Sequence, residues 1–318
     1  MKVIKSKLNY THFYSTLDIG FLKIGDVVAF DIFIKRDKDY VIIIEAGTLL
    51  SEELYNKLKN QDSLYISKKD ESNQILSCEN LQLYIEHNKE NIEKSLQLLY
   101  EVNNQLFDIY LINKDNKINL NCVELIIKSI IFLIKNDDKF LNKSMPYFTN
   151  NNMVSDHSLH VAIYAIKLGN LLKFNDKQLL QLGTAGLLHD VGYKKVSASI
   201  LNKNSPLSAK ENEQVTLHVK YGVDIVKQNH IHDPYILNAI MHHHERYDGS
   251  GYPENLTAED ISPFASILAI CDVFDALTNN RPHRKGYSSF EAFKLMMKDS
   301  SMVNQFNQKY LQLALKSL

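Results

Sequence analysis

The stretch His243-His244-Glu245-Arg246-Tyr247-Asp248-Gly249-Ser250-Gly251-Tyr252-Pro253 decides how this chain is read. It opens on adjacent imidazoles and closes on a glycine-rich turn. Upstream lie His157, the pair His189-Asp190 and His218, and downstream lies Asp272. A bare His-Asp pair is common and means little. The same pair, preceded by an isolated His and followed by the other groups in this order on helical segments, is the spacing a two-metal hydrolase needs. Imidazole and carboxylate together suit borderline divalent ions such as Fe, Mn, Co or Zn. A shared Asp can bridge two of them about 3.5–4 Å apart, with a hydroxide held between.

Composition removes several other classes. Among 318 residues there are 36 basic and 37 acidic side chains, a formal net charge of −1. Global charge therefore steers the chain towards neither nucleic acid nor membrane, and a small anionic substrate would have to be caught by local positive charge and metal. The length allows one to three domains, two being expected, and 45% hydrophobic residues suffice for packed cores. Cys78, Cys122 and Cys271 are odd in number and far apart, which argues against a disulfide framework and fits a reducing cytoplasm. Cys271 lies in an apolar run and reads as packing, not as a ligand. Met1–Tyr10 lacks a signal peptide's apolar stretch. Val123–Ile134 is too short to span a bilayer and carries Lys128. A soluble, cytoplasmic protein is expected.

The organisation reads as mainly α: a small α+β N-terminal domain (1–70), a helical connector (78–145) and an all-helical C-terminal domain (146–318). Val27–Ile34 and Tyr40–Ile44 are β-branched and aromatic runs separated by the charged stretch Lys35–Asp39, which predicts a hairpin. Ser51-Glu52-Glu53-Leu54 has the form of a helix start, and Ser63–Ile66 returns as a strand. The polar stretch Ser67–Ser77 reads as a linker. Leu83, Ile92, Leu96, Leu99, Val102 and Leu106 then form a helical stripe. A second helix, Asn121–Lys135, follows the turn Asn113–Lys117. These connector helices suit a dimer interface, a signalling element or an extra layer on the core. From Asp156 onward the chain reads as helix, with loops at 202–207 and 248–253.

Each candidate ligand has a competing reading. His157 and His160 are three apart on one helical face, so either could point to a metal; His157 is favoured because Val161, Tyr164, Ala165 and Leu168 extend its stripe. Asp190 ends an apolar helix, where a carboxylate is costly to bury unless it is paired or on a metal. His218 alone is ambiguous. His242, His243 and His244 are consecutive, and neighbours on a helix point about 100° apart. His243 and His244 are therefore taken as ligands, and His242 as a supporting or solvent-facing side chain. Asp272 is the only charge at the end of Ile267–Cys271, with helix capping as the alternative.

These motifs resemble the HD-GYP family, a branch of the HD-domain metal-dependent phosphohydrolases. The resemblance covers roughly residues 145–305. It rests on His189-Asp190, on Gly251-Tyr252-Pro253 within the His-His-Glu-Arg run, and on Asp272-Val273-Phe274-Asp275-Ala276-Leu277-Thr278 followed by Arg281-Pro282-His283-Arg284. It implies an all-helical domain with a two- or three-metal site, often iron or manganese, that hydrolyses cyclic di-GMP to pGpG and in some members onward to GMP. His157, His189, Asp190, His218, His243, His244 and Asp272 match the metal ligands, Asp190 the one bridging two ions. Tyr252 and Arg281 match substrate contacts, Gly251 and Pro253 flank them, and Arg284 falls where a basic residue is usual.

Two departures shape the expectation. Met153 stands where members with a third metal carry Glu, and a thioether is a poor ligand for such ions, so two metals are expected, Fe or Mn. After the His-Asp pair the family's lysine is replaced by Tyr193, with Lys194 and Lys195 following. Asp190, Tyr193 and Lys194 are the candidate catalytic residues, with Tyr193, Lys194 or water as the proton donor to the leaving 3′ oxygen, a choice left open by the sequence. Gly249 and Gly251 let the loop bend so that Tyr252 can stack on a base. The leading reading is a cyclic di-GMP phosphodiesterase with reduced activity; the alternatives are a metal-bound sensor of cyclic dinucleotides that binds a partner, and an HD-type activity on another phosphoester.

Overall fold

The N-terminal hairpin forms, but with the charges inside it. In the computed structural model β2 (Ile32–Arg36) pairs antiparallel with β3 (Asp39–Ile44), setting Arg36 opposite Asp39. The turn falls at Asp37, whose φ of 54° is tolerated by Asp better than by most residues. The preceding run is strand only from Ile32. Val27 makes an isolated bridge to Leu49, and a register shift separates Ile32 from Phe33. β1 (Tyr14–Leu17) and β4 (Leu64–Ser67) complete an antiparallel sheet of order β1-β4-β2-β3. α1 (Glu52–Lys59) starts where Ser51 Oγ accepts from Leu54 N at 3.2 Å. Leu58 joins Ile32, Val41, Ile44, Leu64 and Ile66 in the core of this unit.

The structure describes residues 14–67 (except 18, 20, 21, 23, 26, 29 and 38), 81, 85–86, 91–112, 117–137, 139–148, 154–203, 205–280 and 285–318. They fall into two compact units, 1–87 and 88–318. Most of the expected linker, Leu83 and most of the turn at 113–117 lie outside the described residues.

The second unit is helical. α2 (Ile92–Ile112), α3 (Leu120–Asn136) and α4 (Phe140–Phe148) come first. Leu96, Leu99, Val102 and Leu106 are buried along α2. α2 packs on α5 (Val154–Leu171), and α3 packs on both α5 and α6 (Asp176–Leu188), so the connector helices form a layer on the helices that carry the site. α5 is buried on all sides from Leu159 to Ile166, as a helix does at the centre of an all-α body. α6 begins in a capping box between Asn175 and Gln178 and ends at Leu188, and a 3₁₀ turn, Val191–Lys195, follows. Then come α7 (Ala198–Leu201), α8 (Ala209–Thr216), α9 (His218–Gln228), α10 (Pro234–His242), α11 (Pro263–Thr278), α12 (Ser289–Lys298) and α13 (Gln308–Ser317). Gly192 brings the 3₁₀ turn against the start of α9: a Cβ there would overlap the His218 carbonyl oxygen and the Gly222 nitrogen. Among the described residues no helix is long and apolar enough to cross a membrane.

Candidate metal centre

Three of the histidines stand at helix ends, where backbone carbonyls lack partners. His189 and His243 cap the ends of α6 and α10, and His218, the first residue of α9, lies two residues past the end of α8. Each donates from Nδ1 to the carbonyl three residues earlier: Gly186, Val215 and Ile240, all at 2.8 Å. His157, inside α5, donates from Nδ1 to Asp275 Oδ2 at 2.7 Å. In all four rings the outer nitrogen is thus occupied and Nε2 turns inward, the arrangement seen in metal-ligating histidines.

Asp190 lies at the centre. Its Oδ2 is 3.2 Å from His189 Nε2 and 3.7 Å from His157 Nε2, while its Oδ1 is 3.4 Å from His218 Nε2 and 3.7 Å from His243 Nε2. Asp272 closes the ring, with Oδ1 3.3 Å from His157 Nε2 and Oδ2 3.8 Å from His244 Nδ1. Two groups suited to a metal ion result. One is Asp190, His218, His243 and His244; the other is His157, His189 and Asp272, with the ligand atoms of each within 4.8 Å of one another. All seven residues expected as ligands are brought together.

The donor set fits divalent ions on its own chemistry. His189 Nε2, Asp190 Oδ1 and His244 Nε2 are buried without hydrogen-bond partners, a costly state unless something else satisfies them. Burial opposes the charge on Asp190, yet His189, His243 and His218 hold its carboxyl well below the usual range. Asp272 is likewise depressed, against burial, by His157 and His244. Burial would lower His157, but Asp272 and Asp275 raise it well above an ordinary imidazole, and Asp190 raises His189 in the same way. Burial, opposed by Asp190, brings His218 down to about 4, and burial with His243 also depresses His244. The ionised carboxylates and the depressed His218 and His244 are ready for a metal ion, whereas His157 and His189 would have to give up protons to bind one.

The glycine-rich run wraps this cluster. Gly251 lies so close to the chain that a Cβ would overlap Arg246 N, Glu245 Cα and His244 O. Tyr252 N donates to His244 O at 3.2 Å, and the Tyr252 ring stacks on His244 at 4.7 Å. Burial, with Asp190 and Asp272 adding to it, pushes the Tyr252 hydroxyl up, so it stays protonated. Pro253 follows through a cis peptide bond. Tyr193 lies flat on His218, with ring centroids 4.1 Å apart and planes at 8°. Lys194 is turned to α2: its ammonium donates to the Tyr110 carbonyl and sits 4.3 Å from the centre of that ring. Met153, Arg281 and Arg284 lie outside the described residues.

His160 is a neighbour of the cluster: it is fully buried and bound to Asp275 Oδ1 at 2.9 Å. His242 is buried, not solvent-facing, with Nε2 3.4 Å from Glu254 Oε2. Two working carboxylates went unassigned from sequence. Asp275 sits one turn after Asp272 in an otherwise apolar helix, which was a readable signal for a second inward-facing charge. Glu245 is 1% exposed and accepts from Glu254 N at 2.7 Å and Leu256 N at 3.0 Å, which folds the loop; its partners, nine and eleven residues away, gave no sequence signal.

The chain is similar to known proteins. The HD domain family matches residues 137–303, just over half of the chain. A cyclic di-GMP phosphodiesterase of Pseudomonas aeruginosa is 37% identical over 148 residues, 46% of this chain and 36% of that protein. The 3′3′-cGAMP-specific phosphodiesterase 2 of Vibrio cholerae is 29% identical over 227 residues, 69% of this chain and 41% of that protein. The chain thus spans about two fifths or less of the length of these relatives. Among solved structures, Bd1817, a HDG"Y"P protein from Bdellovibrio bacteriovorus, aligns with a TM-score of 0.60 at 20% identity, over 95% of this chain and 98% of that one, a likeness of fold. With the His-Asp pair, the Gly-Tyr-Pro run and the family match on one helical body, this chain belongs to the HD domain family, in its HD-GYP branch.

Proposed function

We propose that this chain is a metal-dependent phosphodiesterase of cyclic dinucleotides that opens cyclic di-GMP to pGpG. The observation that carries the reading is Asp190, whose two oxygens face two separate sets of histidines. On this reading two ions, iron or manganese, are held by His157, His189 and Asp272 on one side and by His218, His243 and His244 on the other, with Asp190 shared. Such ions supply Lewis acidity towards phosphoryl oxygens and lower the pKa of bound water to about 7.

The chain's own residues do the rest. Asp190 and Asp272, held far below the usual carboxylate range, stay ionised throughout the working pH range and give up no proton. The Tyr252 hydroxyl, held protonated, donates to a phosphate oxygen, while Gly251 and Pro253 fix the loop that carries it. Arg281 and Arg284 offset phosphate charge, which a planar guanidinium does in a bidentate way. The proton for the leaving 3′ oxygen comes from Tyr193, stacked on His218, ahead of Lys194, whose ammonium is engaged by Tyr110. Residues 1–70 are assigned to regulation of this activity in the cytoplasm, with the connector helices as the homodimer surface.

A second reading has a specific observation behind it. Tyr193 covers the face of His218 and the Lys194 ammonium turns to Tyr110, which suits a metal-bound sensor that holds a cyclic dinucleotide without fast turnover.

The deciding experiment is anaerobic incubation of Fe- or Mn-loaded protein with cyclic di-GMP and, separately, 3′3′-cGAMP, with products separated and metal counted in the same sample. Accumulation of pGpG with about two metals per chain supports the phosphodiesterase. Intact cyclic di-GMP with cleaved cGAMP moves the substrate, and both intact at full loading refutes the enzyme reading in favour of the sensor.

A further inference from the structure

Helix α2 reaches the metal centre through a chain of side chains. Asp275, on α11, is 1% exposed and accepts three hydrogen bonds: from His157 Nδ1 at 2.7 Å, His160 Nδ1 at 2.9 Å and Asn279 Nδ2 at 2.6 Å. On its other edge His160 meets α2, with Nε2 2.5 Å from Tyr100 Oη. The two rings stand edge to face, 83° apart. His160 is fully buried and Tyr100 is 9% exposed, so solvent does not substitute for either bond.

The proton positions follow from satisfying every group. Asp275 has only nitrogen donors at its carboxyl, with Oδ1 facing His160 Nδ1 and Oδ2 facing His157 Nδ1 and Asn279 Nδ2. It therefore only accepts, and both histidine Nδ1 atoms must donate to it. The tautomer of His160 that donates from Nδ1 has an acceptor at Nε2, and the Tyr100 hydroxyl lies against that atom. Without that hydroxyl the other tautomer of His160 becomes available, in which Nδ1 no longer donates and Asp275 loses one of its three donors. Its remaining partners are Asn279 and His157, the latter being the ring that faces Asp190 and Asp272. Two other polar contacts of α2 end on backbone: Asn103 Nδ2 donates to the Ser155 carbonyl at 2.7 Å, and Tyr110 Oη to the Val191 carbonyl at 2.9 Å.

We infer that Tyr100 is a positioning residue of the metal centre: by fixing the tautomer of His160 it sets the Asp275 carboxylate that orients His157. The inference rests on the metal reading above. It gives α2 a line of hydrogen bonds to one candidate ligand, so a shift of this helix is felt at that ligand.

The test uses the full chain and Co(II), read by competition with a chromophoric chelator and by the visible absorption of the bound ion, alongside kcat and KM for cyclic di-GMP. Y100F removes one oxygen and keeps the ring. Its affinity for Co(II) should fall about 10-fold, the low end for loss of an outer partner of a metal ligand, with a shifted absorption band and a lower kcat at unchanged KM. Adding H160N, whose amide can donate from the position of Nδ1 and has no imidazole tautomer to lose, should restore affinity to within about twofold of the parent. N103L, which removes a buried hydrogen bond from the same helix without touching the chain, should leave affinity and spectrum as in the parent. Parent-like Co(II) binding in Y100F, an equal loss in N103L, or no recovery in Y100F/H160N overturns the inference. A parent protein that binds no Co(II) overturns the metal reading instead.

Discussion

Replacing Glu245 by Gln tests whether the glycine-rich run is held by one buried carboxylate. Glu245 Oε1 and Oε2 each accept one backbone N–H, from Glu254 at 2.7 Å and Leu256 at 3.0 Å, and the residue is 1% exposed. A hydrogen bond to a charged group contributes about 1.5–3 kcal/mol. Gln keeps one acceptor and turns an NH₂ towards the second N–H, so one bond is lost and one amide is left facing a donor. Water reaches part of this loop, since the Glu254 side chain is 57% exposed, which places the cost at the low end, about 2 kcal/mol. Two assays read it. Urea unfolding should show that loss in ΔG, and amide exchange at Glu254 and Leu256 should quicken about 30-fold, the same free energy expressed as a rate ratio. Exchange within α5 should change only as far as global stability does. If both amides exchange as in the parent and stability moves by less than about 0.5 kcal/mol, the loop is held by the Tyr252 N to His244 O bond and the close packing of Gly251 instead, and the role given to Glu245 is wrong.

Other consequences follow from the same geometry. D190A should abolish hydrolysis and bring metal content below one ion per two chains, about a quarter of a two-metal site; retained turnover in a metal-replete sample would sink the shared-ligand account. Metal loading at neutral pH should release protons, because His157 and His189 are raised above ordinary imidazoles and must lose theirs to bind; calorimetry in buffers of different ionisation enthalpy reads this, and a buffer-independent heat would contradict it. The metal-free protein should weaken as the pH falls from about 6.5, the unfolded imidazole value, towards 4, because His218, depressed to about 4, binds its proton more readily when unfolded; H218Q should flatten that limb of the stability curve, and an unchanged slope would refute it. G192A should destabilise by about 3 kcal/mol or more, since its methyl group meets the His218 carbonyl, and should lower metal affinity with it; a change under about 1 kcal/mol would mean that α9 can shift freely.

Sequence and tertiary structure determined different parts of this protein. Residue chemistry and order were enough to gather the seven ligand candidates, because imidazole, carboxylate and helical spacing are local properties. The capped start of α1, the buried stripe of α2 and the strands β3 and β4 were legible for the same reason: each is a repeat or a cap within a few residues. The hairpin turn was misplaced because Lys35, Arg36 and Asp39 are polar yet stand in paired strands, where cross-strand charge pairing offsets their low strand preference. What only the tertiary structure decided is orientation. That His189 and His243 cap their helices and His218 opens α9 just past the end of α8, so that a carbonyl of the preceding turn fixes each ring, depends on where packing stops the helix. That Asp275 faces two histidines, that Tyr100 completes them from a helix 60 residues away, and that Glu245 holds its own loop are long-range contacts. A sequence lists the donors and acceptors; three-dimensional proximity chooses which of them meet, because a hydrogen bond requires contact within about 3 Å.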